Sequence, residues 1–317
     1  MNLVTIVLLV ASASAGYAQD YPVRPVRFIG GTAPGGSTDT IARIVAQGLS
    51  ASWGQNVVVD NRPGAGGTLA ADMVVKAQPD GYTLFVGGFG PIAMAGSLYP
   101  TLPYDPAKDF ADVTLMVTFP NVLVVPATSP ITSIKELITQ AKAKPGALKY
   151  GSSGVGGSTH VFLELINMRA GISTAHIPYK GGAPAVTGLL SGEVDYAAPA
   201  VSTALALLAA GRIRALAVTS ANANPRLPGV PPLASVLPGY DALEFHGLHA
   251  PAKTPRPIVV KLQQEVARAL RRPEAKERLD ALAMDVVAGT PDEFTAFVRK
   301  QIDTWTAVGK AANVRAD

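Results

Sequence analysis

Short β-branched runs alternate with amphipathic stretches along most of the chain. "VRFI" from Val26, "NVVVD" from Asn56, "YTLFV" from Tyr82, "NVLVV" from Asn121, "LKYG" from Leu148, "EVDYAA" from Glu193 and "IRALAVT" from Ile213 read as strands, bounded by turn residues. Between them apolar residues recur at helical spacing. Ser133 and Glu136 form a capping box around Ile134, Leu137, Ile138 and Ala141, and Pro145-Gly146 ends that helix. Thr290 and Glu293 form a second, with Pro291 at the first helical position and Phe294, Phe297, Ile302 and Trp305 on the side expected to be buried. Pro273 should break the helical region between Ile258 and Met284, and "EFHGLHAP" from Glu244 reads as a loop. This alternation predicts an α/β fold with largely parallel sheets. No low-complexity linker divides the chain, so two domains would require the chain to cross between them more than once.

Two segments share one plan. "GGTAPGGSTDTIARIV" from Gly30 and "YGSSGVGGSTHVFLELI" from Tyr150 each run from extended residues through a glycine-rich turn and Gly-Gly-Ser-Thr into a helix. The first amides of a helix have no intrahelical partner, and the aligned peptide dipoles place about +0.5 charge there. Glycines remove the Cβ atoms that would hold an anion off, and Ser and Thr add short hydroxyl donors. A carboxylate can be held this way without Lys or Arg. One such turn is an ordinary helix cap. Two matched turns, each after a strand, point to a small molecule clamped at both ends, because ligands in open α/β sheets sit beyond the carboxyl ends of strands.

The enzyme motifs fail in detail. Gly309-Lys310 continues into Ala311 and is no P-loop. Gly64-Ala-Gly66 leads to Leu69, and Gly154-Val-Gly156 to Thr159, where a dinucleotide fingerprint needs its third glycine. Ser37 has Asp39, and Ser153 has Val155, where a nucleophile elbow needs glycine. His246 and His249 lie three apart with no third metal ligand. A hydrolase would need a dispersed triad built on Ser37 or Ser153.

Net charge is +4 with both signs scattered, and no basic stripe with interleaved aromatics suggests nucleic acid. The chain has 317 residues and no cysteine, which excludes disulfides and thiolate chemistry. The apolar run Leu3 to Ala11 is too short to span a membrane, and Gly16-Tyr17-Ala18 fits a leader cleavage site, so residues 1–18 read as a signal peptide without the usual leading Lys or Arg.

"PVRFIGGTAPGGSTDTIAR", "VVVDNRPGAGGTLAADMVVKAQPDGYTL", "LPYDPAKDF", "KYGSSGVGGSTH", "IPYKGGAPAVTGLLSGEVD" and "RALAVTS" together resemble the extracytoplasmic solute receptors of the tripartite tricarboxylate transporter type, the Bug proteins, from about Tyr21 to the C-terminus. The resemblance implies a type II periplasmic binding protein: two α/β domains with a ligand cleft between them, residues 19–118 and 222–317 forming the first and 119–221 the second. It implies a periplasmic monomer with no cofactor or metal, delivering a small organic acid to membrane permease subunits, or signalling through a sensor kinase instead. By position, Thr32, Ala33, Pro34, Gly35, Gly36, Ser37 and Thr38 would form the first ligand loop, with Asp39 bracing it. Ser152, Ser153, Gly154, Gly157, Ser158, Thr159 and His160 would form the second. Phe89 and Gly90 in "GGFGP", Tyr179 in "PYKGG" and Pro199 in "AAPAV" would complete the walls. Lys180 reads as a surface charge, Asn61 and Arg62 as turn and interdomain structure, Asp105 and Asp109 as turn and cap residues, and His249 as a loop residue without chemistry. Three departures bear on specificity: Gly31-Thr32 replaces the family's Pro-Phe, Phe245 its Trp, and Ser235 its Glu. Loss of the aromatic at position 32 should leave a roomier or wetter pocket.

Overall fold

The computed structural model describes residues 21–315, so the expected leader peptide lies outside the described residues. Two sheets organise the chain. The first lobe begins β1 (Val26–Gly30), α1 (Ser37–Trp53), β2 (Val57–Asn61), α2 (Thr68–Val75) and β3 (Thr83–Gly88). A π-helical turn, Phe89–Met94, and the short α3 (Ala95–Leu98) lead to β4 (Phe110–Pro120). The second lobe holds β5 (Val122–Pro126), α4 (Ile134–Ala143), β6 (Lys149–Ser152), α5 (Ser158–Ala170), β7 (Ala175–Pro178), α6 (Gly182–Ser191), β8 (Tyr196–Ala197), α7 (Val201–Ala209) and β9 (Ile213–Val218). The chain returns to the first sheet with β10 (Leu243–Pro251), then adds α8 (Arg256–Leu270), α9 (Pro273–Ala281), β11 (Asp285–Val286) and α10 (Pro291–Ala311).

The two sheets repeat one order. In the first, β2, β1, β3, β10 and β4 lie side by side, with β11 at the outer edge; in the second, β7, β6, β8, β5 and β9 do. In each, the first three strands are mutually parallel and the fourth, a strand entered from the other lobe, runs antiparallel to its neighbours. β1 and β6 therefore occupy equivalent places, and each releases a glycine-rich turn from its carboxyl end.

Both expected caps start helices, but only the second is a full capping box: the Glu136 side chain accepts from the Thr132 amide at 2.7 Å, one residue before the cap, and not from that of Ser133. Ser133 Oγ accepts from the Glu136 amide, and Thr290 with Glu293 makes the reciprocal pair that opens α10. On α10 Phe294, Val298 and Trp305 are buried, while Phe297 and Ile302 pack at the margin of the core. Pro273 opens α9 and so breaks the helical region as expected. Several strands departed from expectation. β4, β7 and β11 were not anticipated, and "EFHGLHAP" is not a loop: it lies within β10, buried along most of its length between β3 and β4. Because both faces of β10 are covered, it lacks the alternation of a half-exposed strand, and Gly247 has no side chain because the Phe294 ring lies against it (a Cβ would fall 2.1 Å from that ring). The Glu193 segment contributes only the two residues of β8; just before them the Asp195 amide donates to the Lys149 carbonyl at 2.8 Å, while the Lys149 amide donates to Asp195 Oδ2 at 2.7 Å and so meets a side chain.

The crossings are tied at Asn121, which is fully buried. Its amide donates to Thr219 Oγ1 at 2.9 Å, its carbonyl accepts from the Thr219 amide at 2.9 Å, and its Nδ2 donates to the Ala198 carbonyl at 2.6 Å. Both chain crossings thus meet in one knot. Phe89 of the first lobe meets Phe162 of α5 and Trp305 of α10 edge to face, and those two rings are tilted against each other, all with centroids 4.9–5.0 Å apart, so an aromatic cluster joins the lobes.

Candidate functional site

The two glycine turns are geometric duplicates. α1 is capped by Gly36 at φ −73°, ψ 169°, and α5 by Gly157 at φ −65°, ψ 159°; neither has a capping side chain. The residue before each is a left-handed glycine, Gly35 at φ 86° and Gly156 at φ 72°, a conformation that costs a residue with a Cβ. In each turn the third helical residue reaches back to that glycine. Asp39 Oδ2 accepts from the Gly35 amide at 2.9 Å, and His160 Nδ1 accepts from the Gly156 amide at 3.0 Å. The surface helices α4 and α10 use Ser133 and Thr290 to satisfy their first amides. The glycine-capped pair leaves the amides of Ser37 and Thr38, and of Ser158 and Thr159, without a capping side chain.

The braces are buried. Asp39 is 4 % exposed; burial pushes its carboxyl up, but hydrogen bonds from Arg43, the Gly35 amide and Asn61 outweigh that and hold it below the usual range. Asn61 also donates to the Thr32 carbonyl at 3.1 Å. His160 stacks on His176 with centroids 3.8 Å apart, and burial with that neighbour pushes its imidazole down to about 3, so it stays neutral and accepts. Ser152 Oγ bonds His176 Nε2 at 2.6 Å and receives the Gly154 amide, while Thr159 Oγ1 receives the Ser153 amide at 2.8 Å.

Both turns face one cavity of about 330 Å³ between the lobes. From the first lobe Thr32, Ser37, Thr38, Phe89 and Gly90 line it; from the second, Ser153, Gly157 and Ser158 do. Ala33, Pro34, Gly35 and Gly36 shape the first turn without forming the wall, as Gly154 and His160 shape the second. Ser152, Thr159 and Pro199 stand behind the second turn around a void of about 10 Å³. Tyr179 turns away: its ring lies over Gly151 and Gly188, where only glycines leave room. Lys180 is exposed. Asp105 and Asp109 accept turn amides, and His249, in β10 rather than in a loop, is buried with Nδ1 on Asp112 at 2.8 Å.

The sequence reading missed several wall residues, among them Gly31, Gly66, Gly67, Glu244 and His246. Gly66 and Gly67 form the turn before α2; Gly67 at φ 93° packs against Gly31, where a Cβ would fall 2.6 Å from its Cα. Glu244 and His246 are two apart on β10, hence on one face. His246 Nε2 lies 2.9 Å from Ser37 Oγ, and burial pushes its imidazole down to about 4. Burial pushes the Glu244 carboxyl above the usual range, although the Ser158 and Asn121 side chains favour its charged form. Among the described residues of the wall, none is Lys or Arg. No group of three potential metal ligands occurs among the described residues.

Two sheets of matched order, crossed twice by the chain around a cavity fed by helix N-termini, define a type II periplasmic binding protein with two α/β lobes. The chain belongs to the tripartite tricarboxylate transporter family receptors, whose family model matches residues 41–314, and is a solute-binding receptor of that family of periplasmic binding proteins. It is 36% identical to BugT of Bordetella pertussis over 92% of this chain and 90% of that one. Among solved structures it is similar to R. palustris Rpa4515 with adipate, at 36% identity, a TM-score of 0.84 and coverage of 94% of this chain and all of that one. It is also similar to MatC from Rhodopseudomonas palustris with bound malate, at 33% identity, a TM-score of 0.80 and coverage of 91% and 99%.

Proposed function

We propose that this receptor captures a small organic carboxylate between its lobes and presents it to membrane permease subunits, as a monomer without cofactor or covalent chemistry. One observation carries the reading: two duplicate, glycine-capped helix N-termini on opposite lobes open into the same cavity, whose described wall has no cationic side chain. Adipate and malate in the similar structures are acids of the size this cavity accommodates. We take residues 19–118 with 222–317, and 119–221, as the two bodies that close on the ligand. Closure is favoured only by as much as the ligand prefers the closed form. Residues 1–18 would direct export to the periplasm.

A hydrolase is disfavoured by the geometry at Ser37. Among the described residues His246 Nδ1 has no hydrogen-bond partner, so no carboxylate there orients the imidazole, and a base held near pKa 4 activates serine poorly at neutral pH. Ser153 Oγ bonds Thr159 rather than a histidine.

Protein freed of co-purified ligand and screened by thermal shift against mono- and dicarboxylates should give at least one hit. A ligand at 100 times its Kd adds about 2.7 kcal/mol, a shift of several degrees for a chain of this size. No response to any acid in a broad panel would contradict the proposal.

A further inference from the structure

β10 brings a histidine to the start of α1. His246 is 5 % exposed; its ring packs on Phe119 with centroids 5.4 Å apart and against Gly88, where a Cβ would fall 2.7 Å from Nδ1. Held there, its Nε2 lies 2.9 Å from the Oγ of Ser37, the exposed first residue of α1, whose amide has no capping side chain. Which atom donates across that contact follows from the far side of the ring. Nδ1 is buried and has no hydrogen-bond partner among the described residues. Burial keeps the imidazole neutral, so it carries one hydrogen. Were Ser37 the donor, Nε2 would be bare and that hydrogen would sit on Nδ1. It would then be a buried N–H with no acceptor, and such orphans are rarer in folded proteins than unfilled lone pairs. With the hydrogen on Nε2, the ring donates to Ser37 Oγ and only a lone pair is left unfilled.

Ser37 Oγ is then an acceptor toward β10, and its own proton is free to point into the cavity that Ser37 and His246 both line. Thr40 shows the contrast: its hydroxyl donates to the Gly36 carbonyl at 3.0 Å and has no proton left for a ligand. We propose that His246 is a positioning residue, whose Nε2–H holds Ser37 Oγ as an acceptor and so commits the Ser37 hydroxyl proton to the bound anion. A hydroxyl without this partner would give up its rotational freedom when the ligand arrives, whereas here the order is built in. The same tautomer leaves Nε2 no lone pair with which to take the Ser37 proton, so it also denies that serine a general base.

The inference rests on the carboxylate reading above and is tested separately from it. Nitrogen NMR of the full receptor with isotope-labelled histidine, His246 being assigned through its backbone, should show a protonated Nε2 and a bare Nδ1. A hydrogen on Nδ1 overturns the inference, and this measurement needs no variant. Calorimetry with the tightest-binding acid from the screen reads the consequence. His246→Leu should weaken binding about three- to tenfold in the parent, but less than about twofold in a Ser37→Ala receptor, where the proton it orients is gone. His246→Gln, whose side-chain amide reaches about as far as Nε2, should recover most of the loss. Equal losses with and without the Ser37 hydroxyl would mean that His246 acts through packing alone and would overturn the inference, as would unchanged affinity in His246→Leu. If His246→Leu does not fold, the NMR result decides. If acids bind and the coupling is absent, this inference falls and the carboxylate reading stands. If no acid binds at all, both fall.

Discussion

Replacing Gly36 by aspartate puts an internal anion where the ligand's carboxylate should sit. Gly36 has the extended φ and ψ of an ordinary N-cap, so the backbone needs no change. A Cβ there would stand 3.4 Å from the Ala33 carbonyl and Thr32 Oγ1, close but permissible contacts. The new carboxylate would accept from the free amides of α1, adding a few tenths of a kcal/mol as a cap and about 0.3–1 kcal/mol from the helix dipole. Stability should therefore rise by about 0.5–1 kcal/mol, or roughly 1–3 °C in Tm. Binding should move the other way. Two carboxylates about 5 Å apart at an effective dielectric constant near 20 repel by about 3 kcal/mol, which is more than about 100-fold in Kd. Gly36→Ser would compete for the amides without the charge and should lose much less. Calorimetry with the best acid from the screen, paired with a thermal melt, reads both effects. Affinity within about twofold of the parent in a folded Gly36→Asp receptor would refute the amide-anchor reasoning.

Two further outcomes are expected. Phe89 is 4 % exposed at the centre of the aromatic cluster joining the lobes, so Phe89→Ala should cost about 3–5 kcal/mol in urea unfolding, and a loss below about 1 kcal/mol would contradict that packing. Burial pushes the imidazoles of His160, His176 and His246 from 6.5 down to about 3, 4 and 4, so each stays neutral in the fold while the unfolded chain takes up a proton. Their contribution is intact above about pH 6.5 and is lost as pH falls toward 4, by up to about 2 kcal/mol per imidazole at pH 5; equal urea midpoints at pH 7.5 and 5 would contradict it.

The parts of the site written in consecutive residues were legible. Gly35-Gly36-Ser37-Thr38 and Gly156-Gly157-Ser158-Thr159 announce two bare helix starts, because glycine at a left-handed position and at the cap is a local requirement. The Ser133 cap and the Thr290 capping box are local in the same sense. What escaped depends on long-range contact. Glu244 and His246 face the cavity only because β10 crosses from the second lobe and inserts between β3 and β4, 209 residues beyond Ser37 in the case of His246. Their polar character hid the strand, and two polar residues at a spacing of two, next to a glycine that makes room for Phe294, were the available signal. Tyr179 was misleading for the opposite reason. A loop tyrosine beside glycines suggests a ligand contact, yet its ring fills the room left by two distant glycines, Gly151 and Gly188.

The most direct test of the central claim is a crystal structure of the receptor with its tightest-binding acid. The account predicts a carboxylate within hydrogen-bond distance of the Ser37 or Thr38 amides and the opposite end of the ligand against the start of α5, with no Lys or Arg touching it. A ligand outside this cavity, or one anchored mainly by a guanidinium or lysine ammonium, would contradict it.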